Sequence, residues 1–156
     1  MKKAIILTYA PITEAEKLLL INTEIFKLAI NQHCSELKPN CRIIADYWNW
    51  QFMINNFPET LIVARESIKH PRVISKPDLP CLMGTITSAI VHLLEENTEK
   101  ILLVADNKVH GKVFQDEIKK AVSELNAKNN IYQYSQGNFD LPVIKIKEFI
   151  KWKQHI

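Results

Sequence analysis

Short apolar runs alternate with stretches of helical periodicity along most of the chain. The runs carry few polar residues, which is typical of strands buried on both faces. They lie at residues 4–9, 41–46, 60–64, 100–105 and 131–134. Strands that alternate with helices form parallel sheets through crossover connections. The pattern therefore predicts an α/β fold of Rossmann-like type, a mostly parallel sheet with helices on both faces.

Helical patterns fill the intervals between these runs. Thr13 is followed three residues later by Glu16, which is the spacing of a capping box and predicts a helix start. Further helices are predicted at residues 48–57, from 84 to about 97, at 111–127 and at 144–154. Residues 26–30 fit either an extension of the first helix or a second strand. The proline-bearing segment 66–83 is predicted to be a loop with at most one short strand at 73–74.

Composition narrows the class of protein. A chain of 156 residues has the usual length of one domain, so we expect a single domain over 1–156. The net charge of +3 is spread along the chain, whereas nucleic-acid-binding proteins usually carry a denser basic stripe. We therefore expect no nucleic-acid partner. The apolar run at 4–7 is too short for a signal peptide or a membrane span, so no membrane span is expected.

The cysteines and the absent motifs narrow the class further. Cys34, Cys41 and Cys81 are odd in number and form no CxxC pair, so we expect reduced thiols in a cytoplasmic protein. The sequence contains no GxxxxGK[ST], GxGxxG, HExxH or GxSxG pattern. This disfavours P-loop NTPases, ordinary dinucleotide-binding domains, zinc proteases and α/β-hydrolases. The histidines and cysteines match no standard zinc spacing, so we predict no metal. We also expect no cofactor.

Candidate functional residues follow the predicted strands, because ligands of open parallel sheets bind beyond the carboxyl ends of the strands. Asp46 and Asp106 stand at two such ends. A carboxylate there can accept hydrogen bonds from ribose hydroxyls, bind a metal or cap the next helix. We favour capping for Asp46 and a functional role for Asp106. His110, four residues beyond Asp106, is a candidate general base, with a solvated loop histidine as the alternative.

A second candidate feature is the predicted helix start Gly84-Thr85-Ile86-Thr87-Ser88. A helix N-terminus offers unpaired N–H groups and a partial positive charge, both of which favour phosphate. The hydroxyl groups of Thr87 and Ser88 would add further hydrogen bonds. Plain N-capping explains the same residues equally well.

The order of four segments resembles a known group of enzymes. The segments are LAINQ at 28–32, CRIIADY at 41–47, GTITSA at 84–89 and KILLVAD at 100–106. They are similar to bacterial lipooligosaccharide sialyltransferases and the related motility-associated sugar-transfer proteins. GNFDLP at 137–142 also resembles a segment near the ends of such domains. The chain differs from these families at residues 9–13, where they carry a Gly-Pro-Ser loop, and at Ala105, where they carry glycine.

The resemblance implies a Rossmann-like fold and a nucleotide-activated sugar such as CMP-sialic acid. Carried over residue by residue, it implies donor contacts at Asn31, at Thr87 or Ser88, and at Asp106; Asp46 is added from its place at a strand end. We therefore expect a nucleotide-sugar-binding, glycosyltransferase-like domain of surface-glycan metabolism. The first alternative is a non-catalytic binding or assembly module, including a homo-oligomer. The second is a hydrolase or phosphotransferase that uses Asp46 and Asp106 at neighbouring strand ends.

Overall fold

The computed structural model describes residues 2–44, 49–79, 85–105, 112–134 and 139–153. Seven strands lie in this part of the chain: β1 (Lys3–Leu7), β2 (Phe26–Ile30), β3 (Cys41–Ile43), β4 (Leu61–Ala64), β5 (Val73–Ser75), β6 (Lys100–Val104) and β7 (Ile131–Gln133). The helices are α1 (Glu14–Asn22), α2 (Trp50–Asn56), α3 (Thr85–Glu95), α4 (Lys112–Glu124) and α5 (Ile146–Lys151), with a short 3-10 helix at Ser35–Leu37.

The strands form one sheet in the order β5, β4, β3, β2, β1, β6, β7, and every neighbouring pair is parallel. Strand β1 lies inside the sheet, with Leu7 opposite both Ala29 and Val104. The chain first builds the sheet outward from β1 to β5 and then returns to add β6 on the other side of β1. The strand order thus reverses between β1 and β6.

The two faces of the sheet bury different side chains. Ile6 of β1 belongs to the core that contains the inward face of α3 and of α4. Its neighbours Ile5 and Leu7 point to the opposite face and join the core under α1 and α5. A smaller core under α2 covers the β4 side of that second face. Helices therefore cover both faces, and the predicted Rossmann-like α/β fold is confirmed.

Individual elements refine the sequence predictions. Residues 26–30 are a strand, which settles the open choice between helix and strand. The capping box is formed: the Glu16 N–H donates to Thr13 Oγ1 (3.1 Å), and the Thr13 N–H donates to Glu16 Oε1 (2.9 Å). The last helix begins at Ile146 rather than 144. Residues before it are held against β7 instead, because the Ile144 N–H donates to the Gln133 carbonyl.

Within the described ranges, no helix is both long enough and apolar enough to cross a bilayer.

Candidate functional site

The carboxyl ends of the seven parallel strands share one edge of the sheet, called here the carboxyl edge. The residues that directly follow the strands along it are Thr8, Asn31, Ile44, Arg65, Lys76, Ala105 and Tyr134. Thr8 and Asn31 are buried although they are polar. The strand order reverses between β1 and β6, and a reversal of this kind opens a crevice at the carboxyl edge.

The first turn of α3 lies at the same edge. The opposite end of α3 is tied to the start of β1, where the Lys2 ammonium donates to the Glu96 carbonyl and the Glu99 N–H donates to the Lys2 carbonyl. The helix packs on β1, β2 and β3. Its 11 residues span roughly 16 Å at 1.5 Å per residue, about the length of a five-residue strand. Thr85 and its neighbours therefore lie at the carboxyl edge.

The first turn of α3 buries polar side chains. Ile86, Ala89 and Ile90 face the sheet core. Thr87 is only 1% exposed, and its Oγ1 has no hydrogen-bond partner among the residues that the structure describes. Burying such a hydroxyl costs about 1–3 kcal/mol, so an unpartnered one in a native structure requires an explanation. Ser88, the next residue, is buried as well.

Asn31 is held by main-chain hydrogen bonds just after β2. Its N–H donates to the Ile43 carbonyl (2.9 Å), and its own carbonyl accepts from Arg42 Nη1 (2.9 Å). Its backbone adopts a left-handed conformation with φ of 49°, which asparagine tolerates better than most residues. These constraints set where the Asn31 side chain leaves the main chain.

Arg42 of β3 holds the whole turn that follows β2. Beside its bond to Asn31, Nη1 donates to the His33 carbonyl (2.6 Å), and Nη2 donates to Ser35 Oγ (2.9 Å). The guanidinium lies 4.0 Å from the centre of the Phe57 ring, a cation–π distance. Burial lowers the pKa of Arg42, but the ordinary value is so high that the group stays charged. Arg42 is thus a positioning residue for the carboxyl edge.

The structure places three of the predicted site residues at the carboxyl edge: Asn31, Thr87 and Ser88. Asp46, Asp106 and His110 lie outside the described residues.

The strands that precede the two aspartates are not neighbours, because β2 and β1 separate β3 from β6. At about 4.8 Å per strand, those strand ends are roughly 14 Å apart. The prediction that Asp46 and Asp106 occupy neighbouring strand ends is therefore wrong, and the hydrolase or phosphotransferase hypothesis loses its basis.

Sequence reasoning missed Arg42 and Gln115. Gln115 is buried in the first turn of α4, which follows β6 and therefore begins at the carboxyl edge. One signal for Arg42 was present in the sequence. It stands between Cys41 and Ile43, which both join the core under α3, so the period of two places Arg42 on the opposite face.

Cys34 and Cys41 are poor nucleophiles near neutral pH. Cys34 and Cys41 are free thiols. Burial raises the pKa of Cys34 to about 11 and that of Cys41 to about 12. Thiolate, the nucleophilic form, is therefore scarce near neutral pH. Cys81 lies outside the described residues, which contain no cluster of His, Cys, Asp or Glu that could hold a metal ion.

His92 of α3 predicts a pH dependence of stability. The side chain is buried, its Nδ1 has no partner in the described part of the chain, and burial lowers its pKa. The unfolded chain then binds more protons than the native state just below pH 6.5, so the free energy of unfolding must fall as pH falls through that window. In urea titrations, the free energy of unfolding should fall less between pH 7 and pH 5 for His92→Gln than for the wild type. Equal losses in the two proteins would contradict this role.

Comparison of the chain with protein-family models, curated proteins and solved structures found no match. The fold and the carboxyl edge define a Rossmann-like α/β protein. Any more specific function has to be argued from the residues at that edge.

Proposed function

We propose that this chain is a nucleotide-sugar-binding, glycosyltransferase-like domain whose ligand is a CMP-type nucleotide sugar of surface-glycan metabolism. The observation that carries the proposal is the buried hydroxyl of Thr87 in the first turn of α3, which has no hydrogen-bond partner in the part of the chain that the structure describes. The first N–H groups of an α-helix have no partner within the helix, and they favour an anion through charge and hydrogen bonding. A phosphate oxygen at this turn would accept hydrogen bonds from these N–H groups and from Thr87.

Asn31 supports a second contact with the same ligand. Its main chain is held by β3 on both sides, through the Ile43 carbonyl and the Arg42 guanidinium. Because the main chain is anchored in this way, the turn itself needs little ordering when the Asn31 side chain binds a ribose or a base. The resemblance to sialyltransferases assigns a donor contact to the same residue.

The test is a thermal-shift screen with CMP, UDP, GDP and their common sugar conjugates. A ligand that binds only the native state stabilises it, so the melting temperature rises with ligand concentration. At one hundred times Kd the free energy of unfolding increases by about 2.7 kcal/mol. We expect a selective rise with the CMP compounds. A CMP-sugar that binds should also transfer its sugar to a suitable glycan acceptor and release CMP.

Two matched variants locate the ligand at α3. Thr98 also buries an Oγ1 without a partner among the described residues, but it follows the opposite end of the helix. Without ligand, we expect Thr87→Val and Thr98→Val to be at least as stable as the wild type, because each removes a buried hydroxyl that has no partner among the described residues. With CMP compounds, Thr87→Val should lose roughly tenfold in affinity, or about 1.4 kcal/mol, while Thr98→Val binds normally.

A flat response to the whole panel would contradict the proposal and favour the non-catalytic module. One observation already supports that alternative. Tyr9 is strongly exposed just after β1, where the similar families carry their Gly-Pro-Ser loop. A large exposed aromatic side chain is typical of a protein contact. Equal effects of Thr87→Val and Thr98→Val on binding would instead place the ligand away from the first turn of α3.

A further inference from the structure

An open groove of about 650 Å³ runs beside α5. The residues that line it are Ile144, Lys145, Lys147, Glu148, Lys151 and Trp152. Three lysines and one glutamate are among these residues, so the groove carries a net positive charge. Ile144 and Trp152 give it an apolar part. This combination suits an occupant that is both acidic and partly apolar.

The residue before Ile144, Val143, presents a main-chain edge that has no hydrogen-bond partner among the described residues. Val143 lies parallel to β7 as an isolated bridge to Gln133. The Gln133 N–H donates to the Pro142 carbonyl, and the Ile144 N–H donates to the Gln133 carbonyl, both at 2.9 Å. In this pairing, the N–H and the carbonyl of Val143 itself point away from β7. The Val143 residue is 49% exposed, so the edge can receive another strand.

The surroundings of Trp152 argue against a nucleic-acid strand. Its ring is packed edge-on with Tyr132 (5.2 Å between centroids) and Phe149 (6.5 Å), and the Lys100 ammonium lies 5.2 Å from its centre. Bases bind single-strand proteins by stacking on open ring faces, whereas this ring already contacts two aromatic rings and an ammonium group. None of the described residues that line the groove is arginine, the usual bidentate partner of phosphate.

We propose that an extended acidic peptide of a partner protein docks in this groove. It adds a strand beside Val143 and places its carboxylates against Lys145, Lys147 and Lys151. The groove is held in shape by Lys3, whose Nζ donates to the carbonyls at the end of α5: those of Phe149, Ile150 and Trp152, at 2.8–2.9 Å. Lys3 opens β1, so this end of α5 lies at the amino edge of the sheet, whereas Val143 pairs with Gln133 at the carboxyl end of β7. The proposal is independent of the nucleotide site.

The test is fluorescence polarisation with a short labelled peptide of alternating glutamate and valine. A matched peptide carries glutamine in place of glutamate. We expect the acidic peptide to bind, and to bind more weakly as salt is raised, because exposed charges are screened within about 10 Å at 0.1 M salt. The triple variant Lys145→Gln, Lys147→Gln, Lys151→Gln should weaken binding at least about tenfold. The control triple variant Lys119→Gln, Lys120→Gln, Lys128→Gln removes the same charge from exposed positions elsewhere and should bind normally.

The main-chain contact is tested separately. Val143→Pro removes the outward N–H and should weaken peptide binding, while Val143→Thr keeps it and should not. Equal binding of the glutamine peptide would overturn the proposal, as would equal losses in the two triple variants. Binding of an oligo-dT strand in preference to the peptide would assign the groove to nucleic acid instead. A dimer in sedimentation that the groove variant abolishes would assign it to a second copy of this chain.

Discussion

Replacement of Arg42 by alanine is expected to destabilise the native state by about 3–5 kcal/mol, because three hydrogen bonds from a charged donor are lost and each contributes about 1.5–3 kcal/mol. The carbonyls of Asn31 and His33 and the hydroxyl of Ser35 would all lose their partner. Part of this loss of stability is offset, because the alanine variant no longer has to desolvate a buried guanidinium group on folding.

The measurement is urea unfolding monitored by circular dichroism. The unfolding midpoints of variant and wild type are compared, with the dependence of the free energy on urea concentration the same in both proteins. Arg42→Lys serves as the control, since it keeps the charge and the stem but loses the planar fork that reaches several acceptors. We expect its loss to lie between those of the wild type and the alanine variant. A loss below about 1 kcal/mol in Arg42→Ala would show that water or rearrangement replaces these bonds.

Hydrogen exchange links this prediction to the site. Arg42→Lys should speed amide exchange in the turn at residues 31–37 more than in β1 or β6, because the turn loses its shared anchor. Uniform exchange across the sheet would indicate that Arg42 stabilises the fold as a whole rather than the carboxyl edge.

Leu20→Ala is expected to cost about 2–5 kcal/mol, the usual range for a fully buried leucine, because it leaves a cavity in the core under α1 and α5. Leu20 is 0% exposed and belongs to that core. Leu18 lies in the same helix but is 60% exposed. Leu18→Ala should therefore change stability by no more than about 0.5 kcal/mol.

This pair is informative because residue type, helix and replacement are the same. Alanine is also the best helix former, so neither change weakens the helix itself. Thermal or urea unfolding of both variants gives the comparison directly. Similar losses in the two proteins would mean that α1 packs with a different face from the one described.

The location of part of the candidate site could be predicted from the sequence. Thr87 and Ser88 were proposed from a predicted helix start and Asn31 from the family resemblance, and the structure places all three at the carboxyl edge. Arg42 could not be assigned its role in this way. Its acceptors lie seven to eleven residues earlier in the chain, and only the pairing of β2 with β3 brings them together.

Features that depend on near neighbours could be predicted directly from the amino-acid sequence. The capping box of Thr13 and Glu16 is a contact over three residues, and the apolar runs mark buried strands through their composition alone. These local patterns also imply parallel strands, since the helical segments between them leave room only for crossovers.

Other features of the fold depend on tertiary contacts and could not be predicted from local patterns. Residues 26–30 became a strand because β1 and β3 pair with them on either side. The separation of β3 from β6, and the burial of Leu20 rather than Leu18, likewise depend on contacts between distant parts of the chain. Burial and strand order depend on contacts between residues that are distant in the sequence. A local pattern of adjacent residues therefore does not predict them.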